Sequence, residues 1–338
     1  MGRGLARLCE SCPLIGRGLH LRSVIARPGD CGYTERMPKP TELSGVMVPV
    51  VTTFDARGES LDVAAFSGNI QAYVEAGVSG IVVAGSSGEA PLLTDAERAV
   101  LVEAARGVVP AGRWLIAGVG AESTRQTVER AREAARRGAD AVLVVAPHYF
   151  PQSTTADALL AHYERVADES PVPVLLYTIP LYMHFDLPAA VVARLAVHAN
   201  VIGMKDSGGD ATVRAGYLAS QSSSFSVLTG HGGTFVTAIA AGARGGILGV
   251  GLIAPTLALA AFEAARARHM TDAAALQAQL LPLAREVVGT LGPAGIKAAM
   301  DAAGLRGGRV RPPLLPLDEA TRARVASLVD TALSTVPA

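Results

Sequence analysis

The sequence predicts an α/β fold: a (β/α)8 TIM barrel with an appended C-terminal helical unit. Three observations carry this. Apolar runs of strand length alternate with amphipathic stretches eight times in ~225 residues. The runs are continuously apolar rather than alternating, as strands covered by helices on both faces should be. And the first run continues as Pro49-Val-Val-Thr-Thr-Phe54, without the glycine fingerprint that a doubly wound nucleotide-binding sheet would place there.

Val46–Thr52 is the first expected strand, followed by an amphipathic helix over Leu61–Ala76. Gly80–Ala84 comes next, then a helix opened by Thr94-Asp-Ala-Glu97, whose Thr and Glu have the spacing of a capping box. The third and fourth pairs are Trp114–Val119 with Ser123–Arg137, and Ala141–Ala146 with Ala156–Ala167. Val172–Tyr177 with Pro188–Val197, and Val201–Met204 with Ala211–Ser220, are the fifth and sixth. Phe225–Leu228 with Thr234–Ala241, and Gly246–Val250 with Pro255–Arg268, complete the ring. Three further helical stretches follow, over Asp272–Leu291, Ala294–Ala303 and Asp318–Ser334. The expected organisation is therefore an extension over 1–40, a barrel over 41–270 and a helical unit over 271–338.

The extension differs from the rest: it is rich in arginine and glycine and shows little periodicity; acidic Glu10, Asp30 and Glu35 argue against a transit leader, so it reads as a disordered or spurious extension with Met37 as a candidate start. It holds all three cysteines, Cys9, Cys12 and Cys31, in a spacing that matches no zinc finger. With 50% apolar and 18% charged residues the chain has ample core and no disorder signature. Its net charge of zero and 4% aromatics argue against a nucleic-acid surface. No apolar run reaches the ~18 residues of a membrane helix. The expectation is a cytoplasmic enzyme with no metal or cofactor.

Lysine is rare: only Lys39, Lys205 and Lys297 occur, against 27 arginines. Lys205 stands where a strand ends, in Asn200-Val-Ile-Gly-Met-Lys205-Asp-Ser-Gly-Gly-Asp210. Arginine supplies charge but keeps its proton; a desolvated lysine can lose it and become a nucleophile. A barrel gathers its site from the C-terminal ends of its strands. That end would bring together Ser86 and Ser87 of the Gly85–Glu89 turn, Tyr149, Tyr177 and Lys205. Hydroxyls and backbone amides of the serine turn suit a carboxylate, and tyrosine hydroxyls can relay protons to and from an imine. Each piece alone has an ordinary reading, as a Ser/Gly turn, packed tyrosines or a paired lysine. Gly230-His-Gly-Gly-Thr234 could form a phosphate cup, although no Lys or Arg lies within it.

From about Leu43 onward the chain resembles the dihydrodipicolinate synthase and N-acetylneuraminate lyase family of Schiff-base class I aldolases. The resemblance rests on Gly85–Glu89 as G-[ST]-[ST]-G-E, Pro147-His-Tyr149 as P-x-Y and Leu176–Pro180 as L-Y-x-x-P. Gly203–Asp206 as G-x-K-[DE] and Gly242–Ile247 as G-A-x-G-x-I complete it. It implies that Lys205 forms the Schiff base with pyruvate or another 2-oxo acid, and that Tyr177 donates and accepts protons beside it. Ser86 and Tyr149 would complete the relay, Tyr149 reaching in from a neighbouring subunit of a homotetramer. Ser86 and Ser87 would hold the carboxylate, with Ile247 lining the pocket through its backbone.

One departure bears on the substrate. Dihydrodipicolinate synthases carry an arginine two residues beyond the proline of L-Y-x-x-P; this chain has Tyr182. The stretches Ala117–Thr124, Ala167–Pro173 and Asn200–Asp210 look closest to 4-hydroxy-2-oxoglutarate aldolases, but His148, Tyr182 and His184 do not fit that subgroup cleanly and are candidates for choosing the aldehyde partner. Ser207 is the expected contact to it. The resemblance leaves three activities open besides that aldolase: 4-hydroxy-tetrahydrodipicolinate synthase, a Schiff-base dehydratase of 3-deoxy-2-oxo sugar acids, and a non-catalytic 2-oxo acid sensor.

Overall fold

A computed structural model describes residues 42–334; the expected N-terminal extension and its cysteines lie outside them. In chain order the first half of the barrel is β1 (Gly45–Pro49), α1 (Val63–Ala76), β2 (Gly80–Val83), α2 (Asp95–Val108), β3 (Trp114–Gly118), α3 (Thr124–Arg136), β4 (Ala141–Val145) and α4 (Ala156–Glu169). The second half is β5 (Val174–Thr178), a one-turn α5 (Pro180–Met183), α6 (Ala189–Leu195), β6 (Val201–Asp206), α7 (Ala211–Leu218), β7 (Ser226–Thr229), α8 (Phe235–Ala240), β8 (Gly245–Ile247) and α9 (Pro255–Arg266). The eight strands form a closed parallel barrel in sequence order. β1 pairs with both β2 and β8, which leaves the sheet no free edge. This is the predicted (β/α)8 architecture. Every residue of β1, β2 and β5 is buried, because one face looks into the barrel and the other onto the helix ring.

Helix starts follow local chemistry. Thr94 caps α2 with the expected box: its hydroxyl accepts from Glu97 N–H, and the Glu97 carboxylate accepts from Thr94 N–H. Asp62, Ser123, Thr155, Asp210 and Asp318 cap α1, α3, α4, α7 and a late helix from one side only, each side chain accepting from backbone N–H of the first turn.

Three elements differ from the sequence expectation. The eighth strand is Gly245–Ile247 rather than Gly246–Val250, and Gly249–Leu252 turns into a short 3-10 helix. Pro180–Met183 forms a turn of helix where none was expected. The stretch read as one helix over 272–291 is α10 (Met270–Pro282) running into a π-helix, Leu283–Thr290. Pro282 has no N–H to continue the ladder, and the Thr290 hydroxyl closes the wide turn by donating to the Arg285 carbonyl at 3.0 Å. α11 (Gly292–Ala302) and α12 (Glu319–Leu333) complete the C-terminal part. Phe235 and Phe262 of the barrel helices pack with Leu280, Leu283, Val325 and Val329 in a second apolar cluster. Among the described residues no helix is long and apolar enough to cross a membrane.

A buried ion pair joins the C-terminal helices to the barrel. Lys297 Nζ of α11 lies 2.6 Å from Glu89 Oε1, with side chains 1% and 0% exposed. The approach falls outside hydrogen-bond geometry at that oxygen, so the contact is chiefly electrostatic. The Lys297 ammonium also donates to the Arg309 carbonyl and sits over the Phe54 ring, while Glu89 Oε2 accepts from Arg311 N–H. Burial lowers the Lys297 pKa and Glu89 opposes that shift. Removing one partner strands the other charge in the core, so Lys297→Met should cost about 3–5 kcal/mol in urea unfolding. Pairing it with Glu89→Gln should restore most of that; equal losses in single and double variants would refute the coupling.

His162 on α4 gives the fold a pH dependence. Its Nδ1 meets the Thr124 hydroxyl at 2.9 Å, while its buried Nε2 has no partner among the described residues. Burial lowers its pKa from 6.5 to about 4, against a smaller opposing pull from Glu122. Above the unfolded value both states hold it neutral; below it, only the unfolded chain takes the proton readily. Its contribution is therefore complete above about 6.5 and falls away towards pH 4, by up to about 3 kcal/mol. Thermal unfolding of His162→Gln should show a flatter decline across that window.

Candidate active site

Parallel register places the two central groups side by side. Tyr177 of β5 pairs with Lys205 of β6, both at the C-terminal end of the barrel. Lys205 is 6% exposed, and its Nζ donates to the Tyr177 hydroxyl at 3.3 Å. That hydroxyl lies 3.4 Å from Ser86 Oγ. Lysine, tyrosine and serine thus form one unbroken polar chain across β6, β5 and the loop after β2.

Each member is held from behind. Ser86 opens a 3-10 turn, Ser86–Gly88, which ends at Glu89 in the left-handed region with φ 56°. The turn is anchored by Thr52, whose hydroxyl donates to the Gly88 carbonyl at 2.6 Å, and by the Glu89–Lys297 pair. Asp206, next to Lys205, is paired in the core with Arg214 of α7 at 3.1 Å and accepts from Gly208 N–H at 2.8 Å. This fixes the loop that carries Ser207. A side chain at Gly230, after β7, would displace the site: a Cβ there would stand 2.5 Å from Lys205 Cε and 2.0 Å from Ser207 Oγ.

A cavity of about 640 Å³ opens over these groups, lined by Lys205, Tyr177, Ser86, Ser87, Ser207 and Ile247 among others. A neighbouring cavity of about 560 Å³ shares Ser86, Tyr177 and Tyr182 with it and is also lined by His148. Tyr182 therefore faces both. Partial burial, with Tyr177 nearby, raises its pKa and keeps it protonated. His148 Nδ1 approaches the Ala146 carbonyl at 2.9 Å and Glu122 at 3.4 Å. His231 also borders the larger cavity; burial and Arg214 lower its pKa, so it is neutral at pH 7.

Two candidates stand apart. Tyr149 is 74% exposed and borders neither cavity; its backbone N–H, like that of His148, donates to Glu122 at 2.9 Å. His184 is exposed beyond α5 with φ 62°, also off both cavities. Among the described residues no group of three or more His, Cys, Asp or Glu could hold a metal ion. The parts that sequence reasoning missed are the supports: Lys297 under the serine turn and Arg214 under the lysine strand. The scarcity of lysine that singled out Lys205 applies equally to Lys297 and could have exposed it.

A sequence profile described as the dihydrodipicolinate synthetase family matches residues 42–332. The chain is 31% identical over 287 residues to the 4-hydroxy-tetrahydrodipicolinate synthase of an Exiguobacterium species, covering 85% of this chain and 97% of that protein. It is 37% identical over 295 residues to an uncharacterised DapA-like lyase of Halobacterium salinarum, covering 87% and 96%. The crystal structure of dihydrodipicolinate synthase DapA-2 from Bacillus anthracis superposes with a TM-score of 0.82 at 28% identity, over 88% of this chain and 99% of that one. YagE, an Escherichia coli K12 prophage protein solved in complex with pyruvate, gives 0.80 at 29% identity, over 86% and 98%. With the profile spanning the barrel and the C-terminal helices together, the chain belongs to the dihydrodipicolinate synthetase family and is a lyase-type enzyme.

Proposed function

We propose that this enzyme is a class I aldolase that joins pyruvate to an aldehyde, or releases it, through a Schiff base on Lys205. The observation that carries the reading is the continuous contact from Lys205 Nζ to the Tyr177 hydroxyl to Ser86 Oγ, at 3.3 and 3.4 Å. A neutral Lys205 amine attacks the C2 carbonyl of a 4-hydroxy-2-oxo acid whose C1 carboxylate rests on Ser86 and Ser87. The carbonyl oxygen leaves as water, its protons relayed by Tyr177. Tyr177 then takes the 4-hydroxyl proton as the C3–C4 bond breaks. The aldehyde departs and the electron pair moves to C3, making an enamine conjugated to the lysine nitrogen. Protonation at C3 and addition of water release pyruvate and restore the amine.

For the aldehyde we favour glyoxylate, from 4-hydroxy-2-oxoglutarate, because Ala117–Thr124, Ala167–Pro173 and Asn200–Asp210 resemble that subgroup most, while Tyr182, in place of the arginine that a dihydrodipicolinate synthase uses for its second substrate's carboxylate, weighs against the synthase. A second reading, 4-hydroxy-tetrahydrodipicolinate synthase, is favoured by the several relatives that bear that name. Glyoxylate release from the first substrate, or condensation of pyruvate with aspartate semialdehyde, separates the two; a dehydratase would release no pyruvate at all. Ile247 and Ser207 both line the cavity, and on this reading Ile247 meets the pyruvate portion and Ser207 the aldehyde.

Borohydride reduction in the presence of pyruvate should add one pyruvate-derived mass on Lys205 and abolish activity. Lys205→Ala should give no adduct and no turnover, and Tyr177→Phe should lower kcat by ~10²–10⁴-fold. A fully active Lys205→Ala protein would end the proposal.

Tyr149, exposed in one chain, is available to complete the relay of a neighbouring copy in a homotetramer. Tyr149→Phe should lower kcat by ~10²-fold or more while leaving the mass seen in analytical ultracentrifugation unchanged. A monomer with full activity would remove Tyr149 from the mechanism.

A further inference from the structure

The larger cavity has an uneven charge. Among the described residues, the charged side chains on its lining are Lys205 and Arg285, and no carboxylate borders it. Arg285 sits on the π-helix, whose Ala284, Val288, Gly289 and Thr290 form the same wall. π-Helical turns widen the backbone and recur at functional sites.

Arg285 also differs from the arginines that brace the fold. Arg106 is bound to Asp140, Arg214 to Asp206 and Arg311 to Glu97. The Arg285 side chain is solvent-exposed at the cavity wall and has no hydrogen-bond or ion-pair partner among the described residues. Beside the π-helix, with Gly232 close to Ala284, lies the Gly230–Gly233 loop, an anion cup that holds no Lys or Arg of its own. The fold supplies one. His231 points Nδ1 at the Thr234 hydroxyl, 3.1 Å away, and leaves Nε2 without a partner among the described residues. Gln277 of α10 ties the loop to the helical wall by donating to the Gly232 carbonyl at 3.0 Å and accepting from Val236 N–H at 3.0 Å.

We propose that Arg285, with His231 and the Gly232–Gly233 backbone, is the subsite for an anionic group on the second substrate, so that the aldehyde carries a carboxylate or a phosphate. The inference rests on the Schiff-base reading of Lys205 and adds the residues that receive the partner's anionic group. Ser86 and Ser87 approach the cavity from the loop after β2, Arg285 and His231 from the wall beside β7. Two anionic groups are thereby received at separate places around one amine. Arginine suits this task because its planar fork matches carboxylate and phosphate oxygens in pairs.

The test compares Arg285→Gln with the unaltered enzyme on three aldehydes at saturating pyruvate: glyoxylate, glyceraldehyde 3-phosphate and neutral glycolaldehyde. The variant should lose about tenfold or more in kcat/KM for an anionic aldehyde and less than about twofold for glycolaldehyde, with Arg285→Lys in between. Loss confined to glyoxylate identifies a carboxylate, and loss confined to glyceraldehyde 3-phosphate identifies a phosphate. Equal losses on all three, or none, overturn the subsite. Should no aldehyde be turned over, calorimetric titration of malonate and glycerol 3-phosphate into pyruvate-reduced enzyme decides: binding weakened in Arg285→Gln supports the subsite, and unchanged or undetectable binding of both overturns it. Pyruvate trapping on Lys205 should be the same in both proteins. Failure of trapping in the unaltered enzyme would instead sink the Schiff-base reading.

Discussion

The Glu89–Lys297 contact, two charges 2.6 Å apart and almost fully enclosed, constrains more of this molecule than any other single interaction. Glu89 ends the turn that presents Ser86 and Ser87, and it does so with a left-handed backbone that a non-glycine residue adopts only when its surroundings compel it. Lys297 comes from α11, more than two hundred residues along the chain. The carboxylate also receives Arg311 N–H, and the Arg311 side chain returns to Glu97 at the start of α2. That guanidinium holds the Glu97 carboxyl down to about 2, well below the ordinary range. The C-terminal segment thus clamps the second strand–helix unit twice, once under the serine turn and once at the following helix. Desolvating such a pair offsets much of its attraction, so its main consequence is the single geometry it permits rather than added stability.

The same logic operates beneath the lysine. Asp206 and Arg214 form a second enclosed pair immediately after Lys205, fixing the strand end and the loop behind it. Between these two clamps, Tyr177 and Lys205 need only the register of adjacent parallel strands to stand in contact. A proton relay requires its members within hydrogen-bond reach and little freedom to leave it. Buried ion pairs outside the cavity provide that rigidity without adding charge beside the amine. Gly230 contributes by omission, leaving the space that the Lys205 side chain fills.

This division explains what could be read in the sequence. Eight continuous apolar runs encode a doubly covered parallel sheet directly, and all eight strands lie within a few residues of where those runs place them. The glycine-rich Gly245–Gly251 stretch is the weak point: with few side chains to mark a period, β8 and the 3-10 turn after it could not be separated. α5 is a single turn containing Pro180, too short for a helical period to register. The π-helix was invisible for another reason, since its apolar spacing also fits an ordinary helix. Lys205 and Tyr177 were legible because each closes an apolar run. Lys297, Arg214 and Arg285 were not, because what distinguishes them is their partners, or the absence of partners, across the fold. Tyr149 marks the same boundary, as its expected neighbours belong to another chain.

The arrangement also separates two demands that conflict within one pocket. A nucleophilic lysine is favoured by surroundings that do not stabilise its ammonium, so carboxylates near it would work against the amine. Anionic substrates need cations, which have the opposite effect on that proton and can therefore share the cavity with the nucleophile. A lining that holds the Lys205 amine and the Arg285 guanidinium, with no carboxylate among the described residues, meets both demands. Position then decides specificity. Hydroxyls and backbone amides at Ser86 and Ser87 can take one anionic group without placing a further full charge close to the reacting carbonyl. A guanidinium carried on the C-terminal wall can act on whatever follows it. In a barrel whose strand ends hold the common chemistry, a change of partner substrate would need changes only in the surrounding loops and helices, and Tyr182 on α5 and Arg285 on the π-helix both stand there.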